Sequence, residues 1–294
     1  MSHLSIIEKT KYPNTIDTLC TYLKALGISE GDTLIVHSSL SEIGWVCGGP
    51  TAVFTALLKT VGTNGTIAMP AFSLTNSDPA EWPDFISGKS EMERGNLLPY
   101  SVPAAWHETI RENMPAYDKN ITPRSRGIGT IAESFRTYPE TYRSEHPSAS
   151  FTANGYHSRQ IVSQHKLSPC FDMDSPLGAL YQIDAKVLLL GVGYDRCTSS
   201  HLAETLSGRL KKIRHGSAMT ENGKRTWKWF EDYDSDSDNC FPALGQAYEL
   251  TNSSAISSGK VGAADCKLIE LRSAVDFGVK WIKRLTNQAK INTL

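Results

Sequence analysis

The segment from Thr33 to Pro70 constrains the fold more than any other. Thr33-Leu34-Ile35-Val36-His37 is a β-branched, apolar run and reads as a strand. A polar, glycine-rich stretch follows, SSLSEIGWVCGGP. Thr51–Leu58 then reads as a helix, with Pro50 near its start, where a missing N–H costs no hydrogen bond. Gly62-Thr63-Asn64-Gly65 is a turn, and Thr66-Ile67-Ala68-Met69-Pro70 is a second strand. Strand, helix and strand in this order form a βαβ unit, whose strands pair in parallel. Upstream, residues 14–26 open on Asn14-Thr15 and place Ile16, Leu19, Leu23 and Leu26 at helical spacing behind that cap. Downstream, a helix starts over Gly129–Arg136, Val187–Leu190 is a strand, and Ser199–Leu210 is the helix after it. Ala274–Leu285 reads as a C-terminal helix. The expected architecture is α/β: a single domain over 1–294 with a mixed, largely parallel central sheet flanked by helices.

Residues 73–126 interrupt this rhythm. They are rich in Pro, Ser, Asp and Arg and promise little regular structure before Met114-Pro115-Ala116-Tyr117. Excursions this long inside a compact domain usually serve function. No repeat or change of composition marks a domain boundary.

Bulk properties remove several classes of function. The chain has 294 residues, 40% hydrophobic and 21% charged, in the range of globular proteins. Its 30 basic and 31 acidic residues give a net charge of −1, so no basic field draws it to nucleic acid. No apolar run reaches the ~18 residues of a membrane helix, and the N-terminal stretch has no secretory apolar segment. The six cysteines are scattered, with no CxxC pair. Free thiols in a reducing cytoplasm are expected.

The chemistry concentrates in Gly191-Val-Gly-Tyr-Asp-Arg-Cys-Thr-Ser-Ser-His-Leu-Ala-Glu204, just past the strand at 187–190. His201 and Glu204 stand three apart and share a helical face. Glu204 can fix the tautomer of His201 and stabilise its imidazolium, which is how a general base is oriented. A surface His–Glu pair has the same spacing. Position favours the base, because open α/β sheets hold ligands at the carboxyl ends of their strands. Cys197, four residues before His201 near a helix start, offers a rival: a Cys nucleophile with a His base. A small buried thiol is the plainer reading. His146, in Arg143-Ser-Glu-His146-Pro147, could join His201 and Glu204 around a metal. No HxxxH-type spacing supports that, and no metal is expected. The loop from His37 to Pro50 offers hydroxyls and N–H groups to a phosphate, although it matches neither common phosphate-loop pattern. Glu231, Asp232, Asp234, Asp236 and Asp238 read as a solvated acidic loop, or, beside a cleft, as a magnet for a polycation.

Taken in order, VHSSLSEIGWVCGGP, GTIAMPAFS, TPRSRGIGTIAESFR, RSEHPSASFTANG, SPLGALY, VLLLGVGYDRCTSSHLAE and FPALGQAYE resemble the aminoglycoside 3-N-acetyltransferase family over roughly residues 15 to 285. The resemblance implies the antibiotic N-acetyltransferase fold, distinct from the common small N-acetyltransferase fold. It implies acetyl-CoA as cosubstrate and transfer to the 3-amino group of a cationic aminoglycoside, or to another small amine, with a homodimer common among look-alikes. His201 falls on the family's catalytic histidine and Glu204 on its partner. Thr198 is the candidate donor to the thioester oxygen. Ser38, Ser39, Leu40, Gly48 and Gly49 match the coenzyme A loop. Asp195, His146, Glu231, Asp232, Asp234 and Asn76 fall where the acceptor is held. Two positions depart from the pattern: Asn76 stands where some members carry Asp, and Cys197 where some carry Asn.

Overall fold

The computed structural model describes residues 3–82, 102–125, 128–235 and 240–291. Among the described residues, nine strands carry the architecture: β1 (Thr33–Ser38), β2 (Thr66–Pro70), β3 (Tyr142–Arg143), β4 (Phe151–Gly155), β5 (Lys186–Leu190), β6 (Lys212–Glu221), β7 (Lys224–Tyr233), β8 (Ile256–Val261) and β9 (Ala264–Glu270). Seven of them form one mixed sheet in the order β3-β4-β2-β1-β5-β9-β8. Its core is parallel, β1 pairing with β2 on one side and β5 on the other. The flanks β4, β3, β9 and β8 are antiparallel additions. The βαβ unit accounts for the parallel core. β8 and β9 are joined by a tight hairpin and need no crossover.

The central strands are apolar on both faces, as parallel strands covered by helices on each side must be. Leu34, Val36, Ile67, Met69, Leu188 and Leu190 face one core, with the helices Ile16–Ala25 and Gly49–Val61 packed on it. Ile35, Ala68, Val187 and Leu189 face the other, covered by the helices Pro176–Gln182, Ser200–Ser207, Phe241–Thr251 and Leu271–Ile291. Thr15 caps the first of these helices in a reciprocal box with Thr18.

β1 and β5 are thus parallel neighbours whose following helices leave for opposite faces. Divergence of this kind opens a crevice at the carboxyl ends of the strands. Ser39 N–H bonds Leu190 O at 3.0 Å and holds the two exits together.

The strands β6 and β7 form a separate two-stranded hairpin, closed by Asn222 and Gly223 at φ of 49° and 74°. Two residues with positive φ make the turn that matches strand twist. The acidic stretch at 231–238 is therefore only partly a loop. Glu231 and Asp232 belong to a strand, and Asp232 is buried. Asp236 and Asp238 lie outside the described residues. The 73–126 excursion holds short helical turns and a helix over His107–Asn113, and its residues 83–101 and 126 lie outside the description. Among the described residues, no helix is long and apolar enough to cross a membrane.

Candidate active site

β5 ends at Leu190, and the chain makes a short 3-10 turn over Tyr194–Arg196 before the helix Ser200–Ser207 begins. This route lifts His201 and Glu204 to the floor of the crevice. His201 Nδ1 lies 2.8 Å from Glu204 Oε2. A carboxylate oxygen only accepts, so Nδ1 carries the hydrogen and Nε2 keeps its lone pair. The pair is not a surface ornament: the side chains are 13% and 4% exposed. Among the described residues, two aromatic rings frame the imidazole. Phe171 lies flat on it, centroids 4.6 Å apart and planes at 9°, and Phe241 meets it edge-on at 4.8 Å.

His37, the last-but-one residue of β1, lies on the same side of the sheet. Burial, and after it the charge of His201, pushes its pKa down to about 3. It is neutral at physiological pH and sets no positive charge beside His201. Its Nε2 is sealed from solvent without a hydrogen-bond partner among the described residues. Spacing alone does not single out His37; its signal is a histidine near the end of an otherwise apolar strand.

Thr198 and Cys197 sit beneath the pair. Thr198 is 7% exposed, with its N–H bonded to Arg196 O at 3.0 Å. Cys197 is buried, which pushes its thiol pKa up, and its Sγ lies 3.2 Å from Ser199 Oγ. A protonated thiol paired with a serine is not an activated nucleophile.

On the β1 side, Ser38, Ser39 and Leu40 are half-buried at the rim. Ser39 Oγ lies 3.1 Å from Ser41 Oγ. Gly48 and Gly49 open the 13-residue helix Gly49–Val61 with φ of 86° and 58°, a conformation that favours glycine. A Cβ at Gly49 would meet nothing within 4 Å, so the backbone there is open to a ligand.

The expected acceptor residues divide into two groups. Asp195 is exposed and pairs with Arg196 at 3.0 Å, while Glu231 is exposed and Asp234 half-buried near the end of β7. The other three are buried and already engaged. Asn76 donates to Ser217 Oγ at 3.0 Å and Ala218 O at 3.3 Å, tying the excursion to β6. His146 is 1% exposed, and its Nδ1 accepts N–H groups from Ala149 and Ser148 at 2.9 and 3.3 Å. Asp232 accepts from Cys170 N–H at 3.1 Å and Tyr233 N–H at 2.8 Å. These bonds hold all three side chains in the interior.

His146, Cys170 and Asp232 bring potential ligand atoms within 4.8 Å of one another. They do not fit a metal as placed. His146 Nδ1 accepts hydrogen bonds, so the neutral ring carries its hydrogen on Nε2 and offers no lone pair there. Burial, followed by the Asp232 charge and a hydrogen bond to Asp232, holds the Cys170 thiol well above its usual pKa. The group is a hydrogen-bonded cluster with a protonated thiol. It clamps the segment that carries Phe171.

The chain belongs to the aminoglycoside 3-N-acetyltransferase family, whose model matches residues 35–283. It is 44% identical to the SPbeta prophage-derived aminoglycoside N(3')-acetyltransferase-like protein YokD of Bacillus subtilis, over 97% of each chain. The crystal structure of YokD superposes with a TM-score of 0.87, covering 95% of this chain and 97% of that one. Aminoglycoside N(3)-acetyltransferase VII of Streptomyces paromomycinus is 31% identical over 96% of each chain. The solved structure of AAC-IIIb binary with CoASH matches at 27% identity and a TM-score of 0.79, covering 93% of this chain and 97% of that one.

Proposed function

We propose that this chain, acting as one domain, transfers an acetyl group from acetyl-CoA to the 3-amino group of an aminoglycoside. The carrying observation is the 2.8 Å contact between His201 Nδ1 and Glu204 Oε2 at the crevice floor. It leaves Nε2 as the base. Nε2 takes a proton from the amine as its nitrogen bonds to the thioester carbonyl carbon, Glu204 stabilises the resulting imidazolium, and the C–S bond then breaks, CoA leaving as the thiolate that takes up the proton. Proton transfer of this kind contributes about 10²–10⁴ in rate, with positioning of both substrates supplying more. Thr198 is the donor assigned to the thioester oxygen as negative charge gathers on it. Ser38, Ser39, Leu40, Gly48 and Gly49 receive the donor, helped by the positive end of the helix Gly49–Val61. Asp195, Glu231 and Asp234 hold cationic groups of the acceptor, while His146, Asp232 and Asn76 act from behind by fixing the wall. CoASH in a family structure and aminoglycosides in the names of relatives support donor and acceptor class. Six free cysteines suit a reducing cytoplasm.

A second reading keeps the reaction and changes the amine. Asp78 is paired with Arg111 at 2.9 Å, Glu81 with His215 at 3.1 Å, and Asp232 with backbone N–H groups. Asp78 and Glu81, each opposite a basic side chain, and Asp232, occupied by N–H donors, are less available to a polycation, which favours a less charged amine. Thiol release from acetyl-CoA across a panel of aminoglycosides and simpler amines, beside His201→Ala, tests both. Release with 3-amino substrates, lost in the variant, supports the first reading. Release only with simpler amines supports the second. No release with any amine refutes both.

A further inference from the structure

We propose that Phe171 is a positioning residue for the base: its ring face holds the plane of His201 and stabilises the positive charge that His201 acquires when it takes a proton. The inference rests on the reading of His201 as the base.

Geometry separates the two aromatic neighbours of His201. Phe171 presents its face, 9° from parallel at 4.6 Å, whereas Phe241 meets the imidazole at 68°. An aromatic face carries negative electrostatic potential, and a cation within about 6 Å of its centroid is attracted, more so where water is excluded. Phe171 and Phe241 are 7% and 3% exposed, so the contact is dry.

The other groups around His201 do not duplicate this. Glu204, on its own helix, engages the Nδ1 edge. His37 on β1 is neutral, and the Cys197 thiol below is protonated and paired with Ser199. The face of the imidazole is served by Phe171. As the amine N–H breaks and its proton bonds to Nε2, the ring becomes an imidazolium, and the attraction to Phe171 strengthens at that moment. Interactions stronger in the transition state than in the ground state raise kcat.

Phe171 is also held harder than a lid would be. The preceding residue, Cys170, gives its N–H to Asp232 at 3.1 Å, and its carbonyl lies 2.9 Å from His165 Nε2. Phe72 and Phe151 contact the Phe171 ring at 5.9 and 6.3 Å. A ring fixed from three sides in turn fixes the plane of the imidazole stacked on it.

The test replaces Phe171 by mono-, tri- and pentafluorophenylalanine, which weaken and then reverse the potential of the face with little change of shape. Expected is a stepwise fall in kcat, roughly three- to thirtyfold across the series. The dissociation constant for CoA and the Tm should stay close to wild type. Phe171→Leu should lower kcat at least as far while KM for the acceptor changes little. A kcat that is flat across the fluorinated series overturns the inference, and so does a fall matched by equal losses in Tm or CoA affinity. Wild-type protein that turns over no amine removes the base itself, and the inference falls with it. That outcome is distinct from turnover indifferent to fluorination, which leaves the base in place.

Discussion

Tyr194 packs its ring so closely on Gly245 that a Cβ at Gly245 would stand 2.0 Å from Tyr194 Cγ. The contact joins the 3-10 turn after β5 to the helix Phe241–Thr251, and that helix delivers Phe241 to His201. Gly245→Ala forces this joint apart. It should cost about 1–3 kcal/mol, the usual scale of overpacking, and lower turnover by moving Phe241. Thermal unfolding beside thiol-release kinetics checks it. A variant with unchanged Tm and unchanged kcat would show that the joint yields freely.

The His201–Glu204 pair predicts a graded response. His201→Ala removes the base and should lower kcat by about 10²–10⁴. Glu204→Gln keeps an oxygen to accept from Nδ1 but loses the charge that stabilises the imidazolium. Its loss should be smaller, yet clear of wild type. CoA affinity measured by calorimetry should hold in both. Equal kcat in Glu204→Gln and wild type would remove Glu204 from the chemistry.

Cys197→Ala should keep kcat within about threefold of wild type, because a thiol whose pKa is raised by burial is a poor nucleophile. Intact-mass analysis under turnover should show no acetyl adduct on the wild-type protein. An acetylated enzyme, or complete loss of turnover in Cys197→Ala, would restore the covalent route.

Local patterns made the parallel core legible. Thr33–His37, Thr66–Pro70 and Val187–Leu190 are apolar runs with helices between them, and all three are central strands. His201 and Glu204 were readable because helical spacing puts residues three apart on one face. What escaped depends on distant pairing. β8 and β9, Ile256–Val261 and Ala264–Glu270, mix polar and apolar residues because β8 is an edge strand with its middle exposed. The Asn222-Gly223 turn was a local hairpin signal, but Arg, Lys and Trp on β6 and β7 mask strand alternation. The same reasoning explains Asp232. Its neighbour Glu231 is acidic and exposed, and pairing with the Cys170 segment, far away along the chain, holds Asp232 inside. No short-range pattern encodes Phe171 over His201 either, since the two meet across separate elements.

The Glu81–His215 pair predicts a pH signature in stability. Their side chains are 26% and 25% exposed and lie 3.1 Å apart, linking the excursion to β6. Burial alone would lower the His215 pKa, but the hydrogen bond and charge of Glu81, with Asp232 and Asp234 behind, raise it on balance. A histidine raised in the native state contributes stability that is full below its unfolded pKa of about 6.5 and is lost as pH rises through its folded value. His37 and His146 act in the opposite sense. Burial holds them down to about 3 and about 4, so the unfolded chain takes up their protons first, and stability falls as pH drops below about 6.5. Comparison with Glu81→Gln cancels that background, because both proteins share it. The stability gap between wild type and Glu81→Gln should be largest near about pH 6 and shrink toward about pH 9. Its pH-dependent part should be on the order of 1 kcal/mol, screened by partial exposure. Urea unfolding at several pH values measures the gap directly. A gap that stays constant or widens as pH rises would show that Glu81 holds His215 by shape alone.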